Sequence, residues 1–179
     1  MRDKILFLDM DGVVNSNNEI VKYLDDLIEN KCYTKEEARK QFNEEFCYYT
    51  ELIFPIFAKR ITDICEKTDC DIVWSTTWRT IREYRCNIEY AQKMLTRRDI
   101  PGERLISYTP NLYYNPRCDE IKMWLKLYGK HVKRFAILDD RIDAKYNTKR
   151  GRFFQTTMKE GLTEDITQEV IKWLNDIKS

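Results

Sequence analysis

Three short apolar runs restrict this chain more than any other feature, because each of them ends in an acidic or hydroxyl side chain. They are residues 5–8 followed by Asp9, residues 72–74 followed by Ser75, and residues 135–138 followed by Asp139. Short continuous apolar runs are typical of strands buried on both faces, as in a parallel sheet. Residues 153–154 and 105–106 are weaker candidates for further strands.

Segments between these runs have the apolar periodicity of helices. Pro55 fits the start of the first helix and Thr163 fits the N-cap of the last. Alternation of strands with helices predicts an α/β fold, a parallel sheet covered by helices. The predicted apolar faces are Ile56, Phe57, Ile61, Ile64 and Cys65; Ile121, Trp124, Leu125 and Tyr128; and Leu162, Ile166, Val170, Trp173, Leu174 and Ile177.

Residues 15–50 interrupt this alternation directly after the first predicted strand. They are polar and helical in composition. We interpret the chain as one domain over residues 1–179, with residues 15–50 as a helical insertion that forms a small cap over the site.

Composition excludes several classes of protein. The chain has 179 residues, is 42% hydrophobic and has a net charge of +1, which excludes a disordered chain and a polybasic binder. No apolar run approaches the roughly 20 residues that span a bilayer. Six scattered cysteines without a C-x-x-C pair, together with one histidine, argue against a zinc site and favour reduced thiols. We therefore expect a cytoplasmic protein without a membrane segment.

Acidic residues follow two of the three best strands. The carboxyl ends of parallel strands meet at one edge of a sheet, so Asp9, Ser75, Asp139 and Asp140 should converge there. Two carboxylates ~4 Å apart repel by roughly 4 kcal/mol at an effective dielectric near 20, and a bound divalent cation removes that cost. Oxygen ligands without nearby His or Cys favour Mg²⁺.

The segment Asp9-Met10-Asp11-Gly12 is the sharpest single motif. Of two acids at positions i and i+2, one can attack phosphorus while the other transfers a proton to the leaving oxygen. A calcium loop starting at Asp9 is an alternative, but it would need Glu where Ile20 stands and a preceding helix. Chance occurrence of so short a motif is the other alternative.

Taken together, these segments resemble the haloacid dehalogenase (HAD) superfamily. Residues 5–14 resemble its motif I, residues 72–76 its motif II, and residues 135–140 the Asp-Asp form of its motif IV. Finer features resemble the HAD domains associated with Swiss Army Knife RNA repair proteins. These features are residues 75–79, Thr109-Pro110, the Arg117, Glu120, Ile121, Trp124 and Leu125 pattern, and residues 161–163. The resemblance implies a Rossmann-like fold with helices on both faces of the sheet.

The resemblance also implies a role for each matching residue. Asp9 would be the nucleophile that forms an aspartyl-phosphate, and Asp11 the general acid and then the base. Ser75, with Thr76 beside it, would bind phosphoryl oxygens. Asp9, Asp11 (by its backbone carbonyl) and Asp139 or Asp140 would bind Mg²⁺, and the sequence leaves open which residue of the Asp-Asp pair binds directly.

The superfamily also needs a cation that neutralises the phosphoryl charge. Arg117 opens the matching helix and is the favoured candidate, with Lys122 as the alternative. Arg suits this electrostatic role as well as Lys does, and it adds bidentate geometry. Arg79 would be either a second phosphate clamp or a surface arginine paired with an acid.

Four functions remain possible at this point. The preferred one is a Mg²⁺-dependent phosphomonoesterase acting on a nucleic-acid end or a nucleotide, and a small phosphorylated metabolite is the alternative substrate. A signalling receiver is disfavoured because its acidic pair would follow the first strand and its phosphorylated residue a later one, whereas here Asp-x-Asp comes first and Asp-Asp comes late. A scaffold without turnover is disfavoured because it has no use for acids placed this way. The cationic residues after the third of the three best strands either follow a nucleic-acid backbone near the site or form a solvated loop, and they are Lys145, Lys149, Arg150 and Arg152.

Overall fold

In the described residues, five parallel strands form one sheet in the order β3-β2-β1-β4-β5. The computed structural model describes residues 1–46, 52–81 and 87–176. The strands are β1 (Lys4–Leu8), β2 (Asp71–Trp74), β3 (Leu105–Tyr108), β4 (Arg134–Asp139) and β5 (Gly151–Gln155). The α-helices in the described residues are α1 (Asn17–Glu29), α2 (Lys35–Glu45), α3 (Pro55–Thr68), α4 (Ile88–Arg97), α5 (Arg117–Tyr128) and α6 (Glu164–Asn175). The predicted α/β class is confirmed, including its two weaker strands.

The central strand explains why the sheet forms from these runs. Residues 5–8 of β1 have no exposed surface, and one apolar cluster lies on each side of the sheet. Leu8 is in register with Trp74 of β2 on one side and with Leu138 of β4 on the other. The three runs therefore end at the same level of the sheet.

Helix boundaries agree with the start signals in the sequence, but the predicted apolar faces are too wide. Pro55 occupies the first turn of α3, and the Thr163 hydroxyl accepts a hydrogen bond from the Ile166 amide at the start of α6. Ile56 is 43% exposed, because at 100° per residue it lies well outside the arc that Phe57 and the later apolar residues occupy. Tyr128 is 54% exposed in the last turn of α5. Ile177 lies outside the described residues.

The described part of the 15–50 insertion consists of α1 and α2, which pack against each other. The Tyr23 ring lies 5.8 Å from Phe42 and 5.5 Å from Phe46, both as edge contacts. Phe42 and Phe46 belong to the same apolar cluster as the β1 residue Leu8. The insertion is thus anchored on the main core, and its role as a cap stays a prediction.

The four cysteines in the described ranges form no disulfide, and Cys47 and Cys86 lie outside those ranges. Among the helices described, none is long and apolar enough to cross a membrane.

Candidate active site

The ends of β1, β2 and β4 bring their polar residues to one edge of the sheet. The Asp9 amide donates to the Leu138 carbonyl at 2.9 Å, and the Ser75 amide donates to the Leu8 carbonyl at 2.9 Å. These two bonds extend the β1–β4 and β1–β2 hydrogen-bond ladders by one residue each. Asp9, Asp139 and Asp140 each offer a carboxylate oxygen, and these oxygens lie within 4.8 Å of one another. The convergence expected from the sequence is therefore present.

Arg117 lies between the two most buried of these carboxylates. Its Nη1 is 3.4 Å from Asp9 Oδ1 and 3.6 Å from Asp139 Oδ2. Within the described residues, neither Arg117 Nη1 nor Asp139 Oδ2 has a hydrogen-bond partner. Buried polar groups are nearly always paired, so these two atoms indicate a site built for something else to bind.

Burial shifts the ionisation of both carboxylates in the same direction. Burial raises the pKa of Asp9 above its ordinary value, and Arg117 opposes this shift. Burial, and then the negative charge of Asp9, raise the pKa of Asp139 to about 8. A cation bound between them would favour the charged forms again.

The donor set fits a hard divalent cation such as Mg²⁺. Asp9, Asp139 and Asp140 supply three carboxylates, and Asp139 has one buried oxygen without a hydrogen-bond partner among the described residues. Oxygen ligands of this kind are those that Mg²⁺ prefers. The carboxylate of Asp11 is not part of this cluster, so the prediction for Asp11 as a ligand depends on its backbone carbonyl alone.

Two residues that the sequence analysis did not assign hold the Asp11 side chain in place. Asn15 Nδ2 donates to Asp11 Oδ1 at 3.0 Å, and Trp78 Nε1 donates to Asp11 Oδ2 at 3.0 Å. Asn15 Oδ1 also accepts a hydrogen bond from the Gly12 amide at 2.9 Å. Trp78 is buried in the main apolar cluster, so it is both a packing residue and a hydrogen-bond donor. No local sequence signal marks either contact.

Gly12 allows the chain to pass close to Asp140. Its φ is +69°, and a Cβ at this position would lie 2.8 Å from the Cβ of Asp140. A larger residue at position 12 would therefore be strained and would push against Asp140, one of the three clustered carboxylates.

Ser75 and Thr76 are both buried beside Asp9. Ser75 Oγ has no hydrogen-bond partner among the described residues, which fits the predicted contact with a phosphoryl oxygen. The Thr76 hydroxyl accepts from the Trp78 amide at 3.3 Å, and its hydrogen bond to Asp9 lowers the pKa of that carboxyl. Thr76 thus orients the nucleophile candidate, and its phosphate contact stays a prediction.

Arg79 is paired with an acid, although the pair is buried rather than on the surface. Arg79 Nη2 lies 2.5 Å from Glu120 Oε2, and Arg79 Nη1 donates to the Thr76 carbonyl. The Leu112 amide donates to the second oxygen of Glu120 at 3.1 Å. Burial lowers the pKa of Arg79 and Glu120 opposes that shift. Glu120 was not predicted as a site residue, and the phosphate-clamp role of Arg79 stays a prediction.

Lys122 lies apart from the carboxylate cluster. It is exposed, its Nζ is 2.8 Å from Asp119 Oδ1, and it lies 5.3 Å from the centre of the Tyr146 ring. The geometry therefore favours Arg117 over Lys122 as the cation beside the nucleophile candidate.

A parallel sheet with Asp-x-Asp after its central strand, β1, and Asp-Asp at the end of the neighbouring strand β4 has the layout of a HAD-type hydrolase. The family model for the HAD domain in Swiss Army Knife RNA repair proteins matches residues 5–166. Because the match covers most of the chain, the chain belongs to that family, and the resemblance seen in the sequence is confirmed. No curated protein and no solved structure matches the chain significantly. HAD proteins generally use Mg²⁺.

Proposed function

We propose that the chain is a Mg²⁺-dependent phosphatase that hydrolyses a phosphomonoester through an aspartyl-phosphate on Asp9. One observation carries the proposal: Asp9 is buried beside Arg117, which lacks a hydrogen bond at Nη1 within the described residues, and beside the Asp139 and Asp140 carboxylates. A buried carboxylate with a neighbouring cation and a metal-binding cluster can attack a dianionic phosphoryl group without being repelled by it.

In the first step an Asp9 carboxylate oxygen attacks phosphorus and the bond from phosphorus to the leaving oxygen breaks. Asp11 gives its proton to that oxygen, and the alcohol leaves. Asn15 and Trp78 each donate a hydrogen bond to one Asp11 carboxylate oxygen and so fix that side chain. The orientation of Asp11 is therefore set before the substrate binds.

In the second step Asp11 accepts a proton from water, and the water oxygen attacks the phosphorus of the aspartyl-phosphate. The bond between phosphorus and Asp9 breaks, which restores the Asp9 carboxylate and releases inorganic phosphate. Arg117 and Ser75 would stabilise the charge on the phosphoryl oxygens in both steps. Mg²⁺ held by Asp9, Asp139 and Asp140 would supply further positive charge to those oxygens.

The substrate in this proposal is a phosphorylated nucleic-acid end or a nucleotide. The family description, which refers to RNA repair proteins, supports this class. A small phosphorylated metabolite is the alternative. We also propose a cytoplasmic location, which the free thiols of the described cysteines support.

Hydrolysis of an aryl phosphate, measured with Mg²⁺ and with EDTA, tests the reaction. We expect phosphate release to need Mg²⁺ and to fall by about 10³-fold or more in Asp9→Asn, which removes the nucleophile. Asp11→Asn should still be phosphorylated but should retain the phosphoryl group longer, as seen by acid quench and mass spectrometry. Near-wild-type turnover of Asp9→Asn would show that the nucleophile is elsewhere.

A substrate panel tests the substrate class. It contains 5′- and 3′-phosphorylated oligonucleotides, mononucleotides and sugar phosphates, all measured as kcat/KM. We expect one of the nucleic-acid groups to be preferred. Consumption of sugar phosphates alone would favour the metabolite phosphatase instead.

A further inference from the structure

A groove runs between α5 and the connection from β4 to β5, and it continues past the amino ends of β1 and β4, outside the carboxylate cluster. It consists of two adjoining concavities of about 380 and 760 Å³ that share Lys149 and Arg150. We call this surface the α5 groove. Its charged lining residues are Asp3, Lys4, Lys122, Lys126, Lys130, Lys133, Arg134, Lys149 and Arg150.

The α5 groove is far more cationic than the chain as a whole. Asp3 is its only lining carboxylate among the described residues and pairs with Lys133 at 2.9 Å, while the net charge of the entire sequence is +1. In the part of the chain that the structure describes, Lys126, Lys130 and Lys149 are exposed and have no ion-pair partner. Their charges are therefore available to an anion from outside.

The groove and the candidate active site share helix α5, whose N-terminal residue lies at the site and whose later turns line the groove. Helix α5 begins with Arg117, which contacts Asp9, and its later residues Lys122 and Lys126 line the groove. Lys126 lies about 14 Å from Arg117 along the helix axis, at 1.5 Å per residue. Lys149 and Arg150 precede β5 and lie at the opposite edge of the sheet from Asp9.

This placement corrects part of the prediction for the 145–152 segment. Lys149 and Arg150 do not lie beside the carboxylates, because the β4–β5 connection crosses from the carboxyl edge of the sheet to its amino edge. Arg152 faces another way and pairs with Glu169 at 3.3 Å. The segment therefore contributes to a surface that leads away from the site rather than to the site itself.

We propose that the α5 groove binds the backbone of a single-stranded nucleic acid whose phosphorylated end lies at Asp9. The delivery of that end rests on the proposed function, whereas binding of the strand does not. A polyanion with one charge per nucleotide can contact cations along the whole groove. A sugar phosphate carries its charge at the reacting group and has nothing to place against Lys126 or Lys149.

The binding test uses a labelled single-stranded oligonucleotide of about ten nucleotides without a terminal phosphate, measured by fluorescence anisotropy. The groove variant is Lys126→Glu with Lys149→Glu. The matched control is Lys31→Glu with Lys40→Glu, which makes the same charge change at exposed positions of the insertion. All four lysines are exposed, so thermal melting should show that both variants fold.

We expect the groove variant to raise Kd about tenfold or more and the control to change it less than twofold. The slope of log affinity against log salt should become shallower by roughly 1.4, about 0.7 for each lost phosphate contact on a single strand. Wild-type affinity in the groove variant, or an equal loss in the control, would overturn the proposal. So would the absence of wild-type binding at low salt, or equally tight binding of polyglutamate.

Two activity measurements separate this proposal from the proposed function. Hydrolysis of an aryl phosphate should be unchanged in the groove variant, while kcat/KM for a phosphorylated oligonucleotide should fall about tenfold through KM. An equal kcat/KM for the oligonucleotide in both proteins would overturn the groove as the path of the substrate. Oligonucleotide binding without any aryl-phosphate hydrolysis in the wild type would overturn only the phosphatase.

Discussion

Two buried arginines at the same edge of the sheet differ in how well their charges are satisfied. Arg79 contacts Glu120 at 2.5 Å and the Thr76 carbonyl, so that only its Nε lacks a partner within the described ranges. Arg117 faces Asp9 and Asp139 at 3.4 and 3.6 Å, without a hydrogen bond at Nη1 among the described residues.

This difference predicts that Arg79 serves the fold and that Arg117 serves the proposed chemistry. The ion pair between Arg79 and Glu120 connects the segment after β2 with α5. Glu120 also accepts a hydrogen bond from the Leu112 amide, which ties in the loop before α5. A cation at long distance from two carboxylates leaves donor capacity for a ligand. We therefore expect Arg79 substitutions to act on stability and Arg117 substitutions to act on turnover.

The largest expected effect is on stability, from breaking the Arg79 pair. Arg79→Ala leaves Glu120 buried and uncompensated, which should cost about 3–5 kcal/mol of unfolding free energy, measured by urea denaturation. Arg79→Met with Glu120→Leu should lose less than the single variant, because no charge remains buried. The exposed Arg39→Ala should stay within about 0.5 kcal/mol. A single-variant loss below 1 kcal/mol would contradict the structural role.

The next effect is on catalysis, from removing Arg117. Arg117→Ala should lower kcat for an aryl phosphate by about 10²–10³-fold, because a stabilising charge at the phosphoryl oxygens is lost. Arg117→Lys should recover part of that loss. Lys122→Ala, on the same helix but away from Asp9, is the matched control and should keep kcat unchanged. Equal losses in Arg117→Ala and Lys122→Ala would mean that the cation has been misassigned.

The last effect is measured as a shift in melting temperature and concerns Asp139, one of the carboxylates that Arg117 faces. With a folded pKa of about 8 against 3.8 for an ordinary Asp, Asp139 keeps its proton in the folded state at pH values where the unfolded chain has lost it. Its contribution to stability is therefore present below about pH 4 and is lost as the pH rises towards 8.

Melting temperatures at pH 5 and pH 8 test this expectation. Without metal, the wild type should lose several degrees more between these pH values than Asp139→Asn does. Mg²⁺ should restore stability at pH 8 in the wild type, because it binds the ionised carboxylates, and should do so much less in Asp139→Asn. The same pH dependence in both proteins would contradict the raised pKa.

The clustering of Asp9, Asp139 and Asp140 could be predicted because it follows from local patterns and one topological rule. Short apolar runs become buried parallel strands, and the polar residues after them meet at one edge. The helix starts at Pro55 and Thr163 could also be predicted, because the preferences for Pro in the first turn and for Thr at the N-cap are local signals. The exposure of Ile56 could not be predicted, because it depends on which face of α3 the neighbouring elements cover.

The parallel sheet, the family and the oxygen-rich edge could be inferred from the sequence, because each depends on residues close together in the chain or on a rule of topology. The partners of these residues are set only in the tertiary structure. It paired Arg79 with Glu120, left Arg117 facing Asp9, fixed Asp11 with Asn15 and Trp78, and aligned the lysines of the α5 groove. The Arg79, Arg117 and Trp78 contacts join segments distant in sequence, and the Asn15 contact with Asp11, four residues away, depends on how the loop after β1 folds.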